Sequence, residues 1–117
     1  MRCSGSISVP WLLAILGMCF ASGVAANADD AKASALAKQN GCLGCHAVNK
    51  KIVGPGYIEV AKKYANDPNA TAYLKNKILK GGAGSWGVVP MPAFKGLSDI
   101  ELTYLATWIL RGAPDSR

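Results

Sequence analysis

Four to five short α-helices and no sheet are what this sequence predicts, on three grounds. Apolar residues recur at helical spacing in several short windows, and residues that start and stop helices bracket those windows. Little of the sequence carries the apolar–polar alternation of a strand, and no pattern of parallel strands is present. At 117 residues the chain has the length of one domain. No internal repeat or low-complexity stretch divides it.

The first segment falls outside that domain. Arg2 supplies a positive charge, Ile7 to Phe20 is mostly apolar, and the small residues Ala21, Ser22, Gly23, Ala25 and Ala26 follow. This is the order of a secretory signal, cleaved after Ala26 (Val24-Ala25-Ala26) or after Ala28 (Ala26-Asn27-Ala28). A retained membrane anchor is the competing reading. The run is shorter than the roughly 20 residues that span a bilayer, and Pro10 and Gly17 interrupt it. Residues 1–26 are therefore expected to be a signal peptide and 27–117 the domain, with no stable membrane insertion after cleavage.

The helices follow in order. Asp29 and Asp30 can cap a first helix from Ala31 to about Asn40, ended by Gly41. Tyr57, Val60, Ala61 and Tyr64 fall at i, i+3, i+4 and i+7, a short amphipathic helix. Asp67-Pro68 reads as an N-cap followed by proline at the first helical position, opening a third helix to about Lys80 that presents Leu74, Ile78 and Leu79. Gly81-Gly82 stops it. Ser98-Asp99-Ile100-Glu101 is a capping box. The helix behind it carries Leu102, Leu105, Ala106, Ile109 and Leu110, and ends at Gly112. Between the last two helices, Ala83 to Gly96 is a loop too apolar for disorder, with Trp86, Val88, Val89, Met91 and Phe94; it is expected to wrap around something.

Cys42-Leu43-Gly44-Cys45-His46 is the motif that carries chemistry. Cys-x-x-Cys-His is the attachment signature of c-type haem. Two thiols three positions apart on a helical turn can each add to one of two neighbouring vinyl groups, giving thioethers, and the adjacent imidazole then lies under the ring. Three other readings compete. A zinc site needs four ligands, and the chain after cleavage offers only Cys42, Cys45 and His46 of the usual kinds. A thioredoxin-like pair belongs at the start of a helix in a βαβ unit, which is not indicated. A plain disulfide, expected on export, leaves His46 and the apolar loop unexplained.

Elimination bears on a second iron ligand. Of four cysteines and three methionines, signal removal leaves Cys42, Cys45 and Met91, and the chain has one His. Bis-histidine coordination within one chain is thus excluded, and Met91 is the one thioether available. It sits in Val89-Pro90-Met91-Pro92, where two prolines stiffen the backbone under a flexible side chain. A gap-filling core role, lysine ligation and an open site are the alternatives. His/Met ligation would fill both axial positions and raise the reduction potential, which suits electron transfer rather than bond-making. A domain of roughly 90 residues is marginal without a staple, and a buried haem would supply one.

With these residues in view, the sequence resembles the short bacterial monohaem class I cytochromes c, including periplasmic donors to nitrite reductase in denitrifying bacteria. The resemblance runs from about Ala35 to Gly112. It rests on Asn40-Gly41-Cys42-x-x-Cys45-His46-Ala47, Val53-Gly54-Pro55, Gly84-x-Trp86-Gly87-x-x-Pro90-Met91-Pro92 and Leu105-Ala106-x-Trp108-Ile109-Leu110. It implies a class I cytochrome c fold around one covalently attached haem c, with Cys42 and Cys45 as thioethers and His46 and Met91 as the axial pair. It further implies that the Pro55 carbonyl accepts a hydrogen bond from His46, that Trp86 donates to a haem propionate, and that Trp108 packs between the last helix and the haem. Two departures are visible. Phe94 replaces the Asn that relatives often place three positions after the ligand Met to bond its sulfur. Lys77 stands where some relatives place an Arg near a propionate, offering charge without a bidentate fork.

The resemblance implies a periplasmic one-electron carrier, not an enzyme. Its partners would be redox proteins: a membrane cytochrome complex as donor and a terminal oxidase or nitrite reductase as acceptor, met by a monomer. A haem-based sensor or enzyme with a labile Met ligand, or a haem subunit of a larger redox complex, is the alternative. Signal removal takes Lys+Arg from 13 to 12 against 7 Asp+Glu, a net charge of +5. Lysines ringing an exposed haem edge would steer acidic partners; most are expected to be solvated surface. Nothing interleaves basic with aromatic residues as nucleic-acid binding requires.

Overall fold

The computed structural model describes residues 28–115, so the expected signal segment lies outside the described residues. Among them are four α-helices and no strand: α1 (Ala28–Gln39), α2 (Tyr57–Lys63), α3 (Ala70–Lys80) and α4 (Asp99–Leu110), with one 3-10 turn at Cys42–Gly44. None of these helices is long and apolar enough to cross a membrane.

The last helix is the centre of the fold. α4 packs on α1, α2 and α3, because its apolar residues occupy more than one face. Leu102, Leu105, Ala106, Trp108 and Ile109 are all buried, and Leu105 is 1% exposed. Its start is as expected: Ser98 N–H and Oγ–H both donate to Glu101 Oε2 at 2.8 Å, and the Glu101 N–H points back at Ser98 Oγ. At its end, Gly112 adopts φ 84°, which a side chain disfavours, and Ala113 follows at φ 52° with its N–H on the Trp108 carbonyl at 2.9 Å.

α1 is alanine-rich, which favours helix, and its two fully buried residues, Ala33 and Ala37, lie one turn apart with no bulk to hold α4 away. The helix begins earlier than expected, at Ala28. Asp30 is therefore not a cap: it is only 7% exposed and pairs with Arg111, tying the first helix to the end of the last.

α2 buries Tyr57 and Val60 as its periodicity predicts. α3 buries Leu74 and Ile78 but starts at Ala70, after the expected Asp67-Pro68 opening. The reason is local competition. Asp67 Oδ1 accepts from the Asn69 N–H at 2.8 Å and its carbonyl from the Ala70 N–H at 3.1 Å, so residues 67–70 form a turn and the helix runs on from it.

Candidate functional site

The segment from Cys42 to Tyr57 folds around one carbonyl after another. The His46 N–H donates to Cys42 O at 3.0 Å, closing the turn that holds both thiols, and the Gly54 N–H returns to Cys45 O at 2.7 Å. The chain then enters α2 with the Tyr57 N–H on Ala47 O at 2.9 Å. Neither thiol is in a disulfide. Burial raises the Cys42 thiol above its ordinary 9.0, and the charge of Cys45 pushes the same way.

That path delivers His46 in one orientation. Its Nδ1 lies 2.8 Å from the Pro55 carbonyl. A carbonyl only accepts, so the ring proton sits on Nδ1 and Nε2 is left with a lone pair for a metal. The ring stacks on Tyr57, centroids 5.3 Å apart and planes within 16°. Gly54 makes room for it: a Cβ there would overlap His46 Cε1 and stand 2.8 Å from Nδ1.

The facing segment is Gly81 to Lys95. Its backbone is pinned to the end of α3: Gly82 N–H donates to Met91 O at 3.0 Å, Met91 N–H to Gly82 O at 2.9 Å, and Phe94 N–H to Ile78 O at 3.0 Å. Between the two segments lies a cleft of about 420 Å³, within the range of sites for small molecules and cofactors. Cys42, Cys45, His46 and Pro55 line it from one side and Trp86, Met91 and Phe94 from the other. Val60, Leu74, Ile78, Leu105 and Ile109 supply apolar surface from three helices. Lys77 reaches it from α3. Every residue that the sequence marked for the site thus meets at one place. Trp108 is the exception. It sits behind, edge-on to Tyr57 at 5.5 Å, with its indole N–H on the Pro114 carbonyl at 3.0 Å. Leu105 and Ile109 hold the wall where Trp108 was expected.

The rim contains residues that the sequence did not single out. Lys63, at the end of α2, donates to the Ser85 carbonyl at 2.9 Å and lies 4.4 Å from the Trp86 ring centroid, a cation–π distance. Ser85 Oγ and Tyr73 Oη share a hydrogen bond of 2.6 Å, and Tyr73 packs on Tyr64 at 5.1 Å. Hydrogen bonds from Ser85 and then Tyr64 lower the Tyr73 phenol, whereas burial, with the hydrogen bond to Tyr73, pushes Tyr64 up to about 12. Outside this network the loop is bare: Val88 is 91% and Val89 62% exposed. The sequence points to Trp86, to the spacing of Tyr64 on α2 and to lysines around the cleft edge, but not to the bonds that join them.

Residues 31–113 match the family described as Cytochrome c. The chain belongs to the cytochrome c family. It is 55% identical over 75 residues to the cytochrome c-552 of Hydrogenobacter thermophilus, covering 64% of this chain and 76% of that one. It is 45% identical over 75 residues to the cytochrome c-551 of Pseudomonas aeruginosa, covering 64% and 71%. The crystal structure of Nitrosomonas europaea cytochrome c552 superposes with a TM-score of 0.65 at 44% identity, covering 68% of this chain and 98% of that one. The all-α fold is that of the small monohaem class I cytochromes c.

A member of this family carries one haem c, covalently attached, and transfers single electrons to and from redox proteins. The residues present fit that group. The cleft offers apolar walls to a flat macrocycle, free thiols at one edge, an imidazole whose outer nitrogen is already engaged, and lysine and indole groups at the rim. A zinc site does not fit: among the described residues, no three His, Cys, Asp or Glu side chains are placed to hold one metal ion.

Proposed function

We propose that this cytochrome c is a periplasmic electron carrier whose haem iron has His46 and Met91 as its two axial ligands. The observation that carries this reading is that His46 and Met91, 45 positions apart, line one cleft, with His46 already held in the tautomer that leaves Nε2 to the metal. Cys42 and Cys45 form the thioethers. When bound, the haem supplies one-electron chemistry between ferric and ferrous iron.

The chain's own residues do the rest. The Pro55 carbonyl orients His46 and, by accepting a hydrogen bond from its Nδ1–H, makes Nε2 a stronger electron-pair donor. Met91 contributes a soft thioether that favours the ferrous state and raises the potential. Phe94 and the helix faces exclude water from the ring, which disfavours the additional charge of ferric iron. Trp86 and Lys77 bind the propionates. With His46 and Met91 both bound to the iron, the haem would have no position left for a substrate, which suits a carrier rather than an enzyme.

Residues 1–26 are read as an export signal, cleaved after Ala26 or Ala28, and the mature domain as a monomer. Its donor is a membrane cytochrome complex, and its acceptor a terminal oxidase or nitrite reductase. The exposed Val88, Val89 and Lys51 line the cleft and are available to such partners.

Substitution Met91→Ala tests the ligand set. It is expected to lower the reduction potential and open the iron to added ligands, and an unchanged spectrum would remove Met91 from the site. N-terminal sequencing of the secreted protein tests the export reading: it is expected to begin at Asn27 or Asp29, and an intact Met1 or Arg2 in the periplasmic fraction would contradict it.

A further inference from the structure

Met91 has an unbranched side chain with three rotatable bonds, and among the described residues its sulfur accepts no hydrogen bond. That sulfur is placed by apolar packing of the side chain against the core and by the backbone beneath it, which sets where the side chain starts. The backbone is fixed by the last turn of α3 and the two glycines that end it, through the paired Gly82–Met91 hydrogen bonds and the Phe94 bond to Ile78.

Gly81 occupies the position where this pairing is tightest. Its φ of 67° and ψ of −155° lie in a region that essentially only glycine adopts. Its missing side chain is also where the facing strand of chain passes. A Cβ on Gly81 would overlap the Met91 carbonyl oxygen and stand 2.8 Å from Pro92 C and 2.9 Å from Ala93 N. All three are backbone atoms, in a segment whose φ is locked at both Pro90 and Pro92, so they cannot swing aside as a side-chain tip would. Any residue larger than glycine must push positions 91–93 bodily away from α3.

We propose that Gly81 is a positioning residue for the iron ligand: by lacking a side chain, it lets the end of α3 serve as the template that sets the depth of Met91 in the cleft. This rests on the reading of Met91 as an axial ligand. Glycine at a helix end is ordinarily explained by φ alone, and another glycine here separates the two explanations. Gly112 ends α4 at φ 84°, yet a Cβ on it would meet only Ile58 Cγ1 at an ordinary 3.6 Å. Alanine at 112 imposes backbone strain without displacing a ligand segment. Alanine at 81 does both.

The test uses the haem-loaded protein and the variants Gly81→Ala, Gly112→Ala and Met91→Ala. Three quantities are read: the ferric absorption band that reports thioether–iron ligation, the rate of carbon monoxide binding to the reduced form, and the thermal midpoint. G81A is expected to lose the band and gain carbon monoxide binding, as M91A does. G112A is expected to lower the thermal midpoint while keeping the band and the slow binding. If M91A loses the band but G81A keeps it, the positioning role is overturned and the ligand reading stands. If M91A itself keeps the band, both fall. Should G81A yield no haem protein, hydrogen exchange in the unaltered protein decides. The Gly82 and Met91 amides are expected to exchange slowly and at a common rate, and exchange as fast as that of Val88 and Val89 would overturn the proposal.

Discussion

His46 and Met91 reach the same cleft from segments built on opposite plans. On the histidine side the side chain itself is held: its Nδ1–H donates to the Pro55 carbonyl, its face lies on Tyr57, and Gly54 closes behind it, all within twelve positions of sequence. On the methionine side the side chain is held by nothing polar, and only its backbone is paired, to a helix end across an intervening loop. The difference teaches where the site yields. Local, side-chain-bonded geometry forms with the turn that carries it, whereas the methionine segment is correct only when α3 is in place. The methionine side should therefore be the first to open under stress, and its loop is also the exposed one.

The largest effect should come from disturbing the tighter side. Gly54→Ala drives a methyl group into the His46 ring, and overpacking of this kind costs about 1–3 kcal/mol. Chemical denaturation should register that loss, together with a shift of the His46 ring resonances as the bond to Pro55 stretches. Unchanged resonances would mean that the ring has more freedom than its packing implies.

Next comes the methionine side's rim. Lys63→Ala removes one hydrogen bond to Ser85 and the cation over Trp86. Together these contribute about 1 kcal/mol, since each is partly exposed. Hydrogen exchange should quicken in residues 83–89 and leave the His46 segment untouched. Equal quickening on both sides would erase the contrast between them.

Alkaline pH should act on that same rim. Tyr64 is raised from 10.0 to about 12, so the fold prefers its neutral form: its stabilisation is complete below pH 10 and is lost as pH climbs through about 12. Tyr73 is lowered, so it ionises first, and the fold tolerates its phenolate. Phenolate absorbance should thus rise in separate steps, Tyr73 before Tyr64. Tyr64→Phe should flatten the fall in stability between pH 10 and 12.

The smallest effect lies away from both sides. Glu101 is held below its ordinary 4.5 by the Ser98 backbone and hydroxyl. Its contribution is present above that value and lost as pH falls through and below it. Glu101→Ala should lower the melting temperature slightly at pH 7, by an amount that shrinks as the pH falls below 4.5, with both segments of the cleft unmoved.

What could be read from sequence divides along the same line. The capping box of α4, the buried face of α2 and the turn of Cys42 to His46 are encoded within a few residues, and each was legible. Asp67-Pro68 was legible as a helix opening and was misplaced by two residues, because Asp67 closes a turn through Asn69 and Ala70 ahead of the helix. Asp30 reads as a cap by type and spacing, but its partner Arg111 is at the other end of the chain, and no local pattern reports such a pair. The same holds for Lys63 with Ser85 and for Gly82 with Met91. Composition made Met91 the one thioether candidate after signal removal, yet nothing in the sequence revealed the backbone pairing beneath it. Trp108 illustrates the converse. Its place in an apolar helix was clear, but which helical face meets the cleft depended on Leu105 and Ile109 one turn apart.

On the proposed ligand set, both axial positions are filled from within this chain, one by a rigidly held imidazole and one by a thioether on a templated backbone. Reducing the haem-loaded protein at neutral pH and adding carbon monoxide tests it most directly. The expected result is slow or negligible binding, becoming rapid only in Met91→Ala. Rapid, tight binding by the unaltered protein would contradict the claim and point to an iron site built for ligands rather than for electrons.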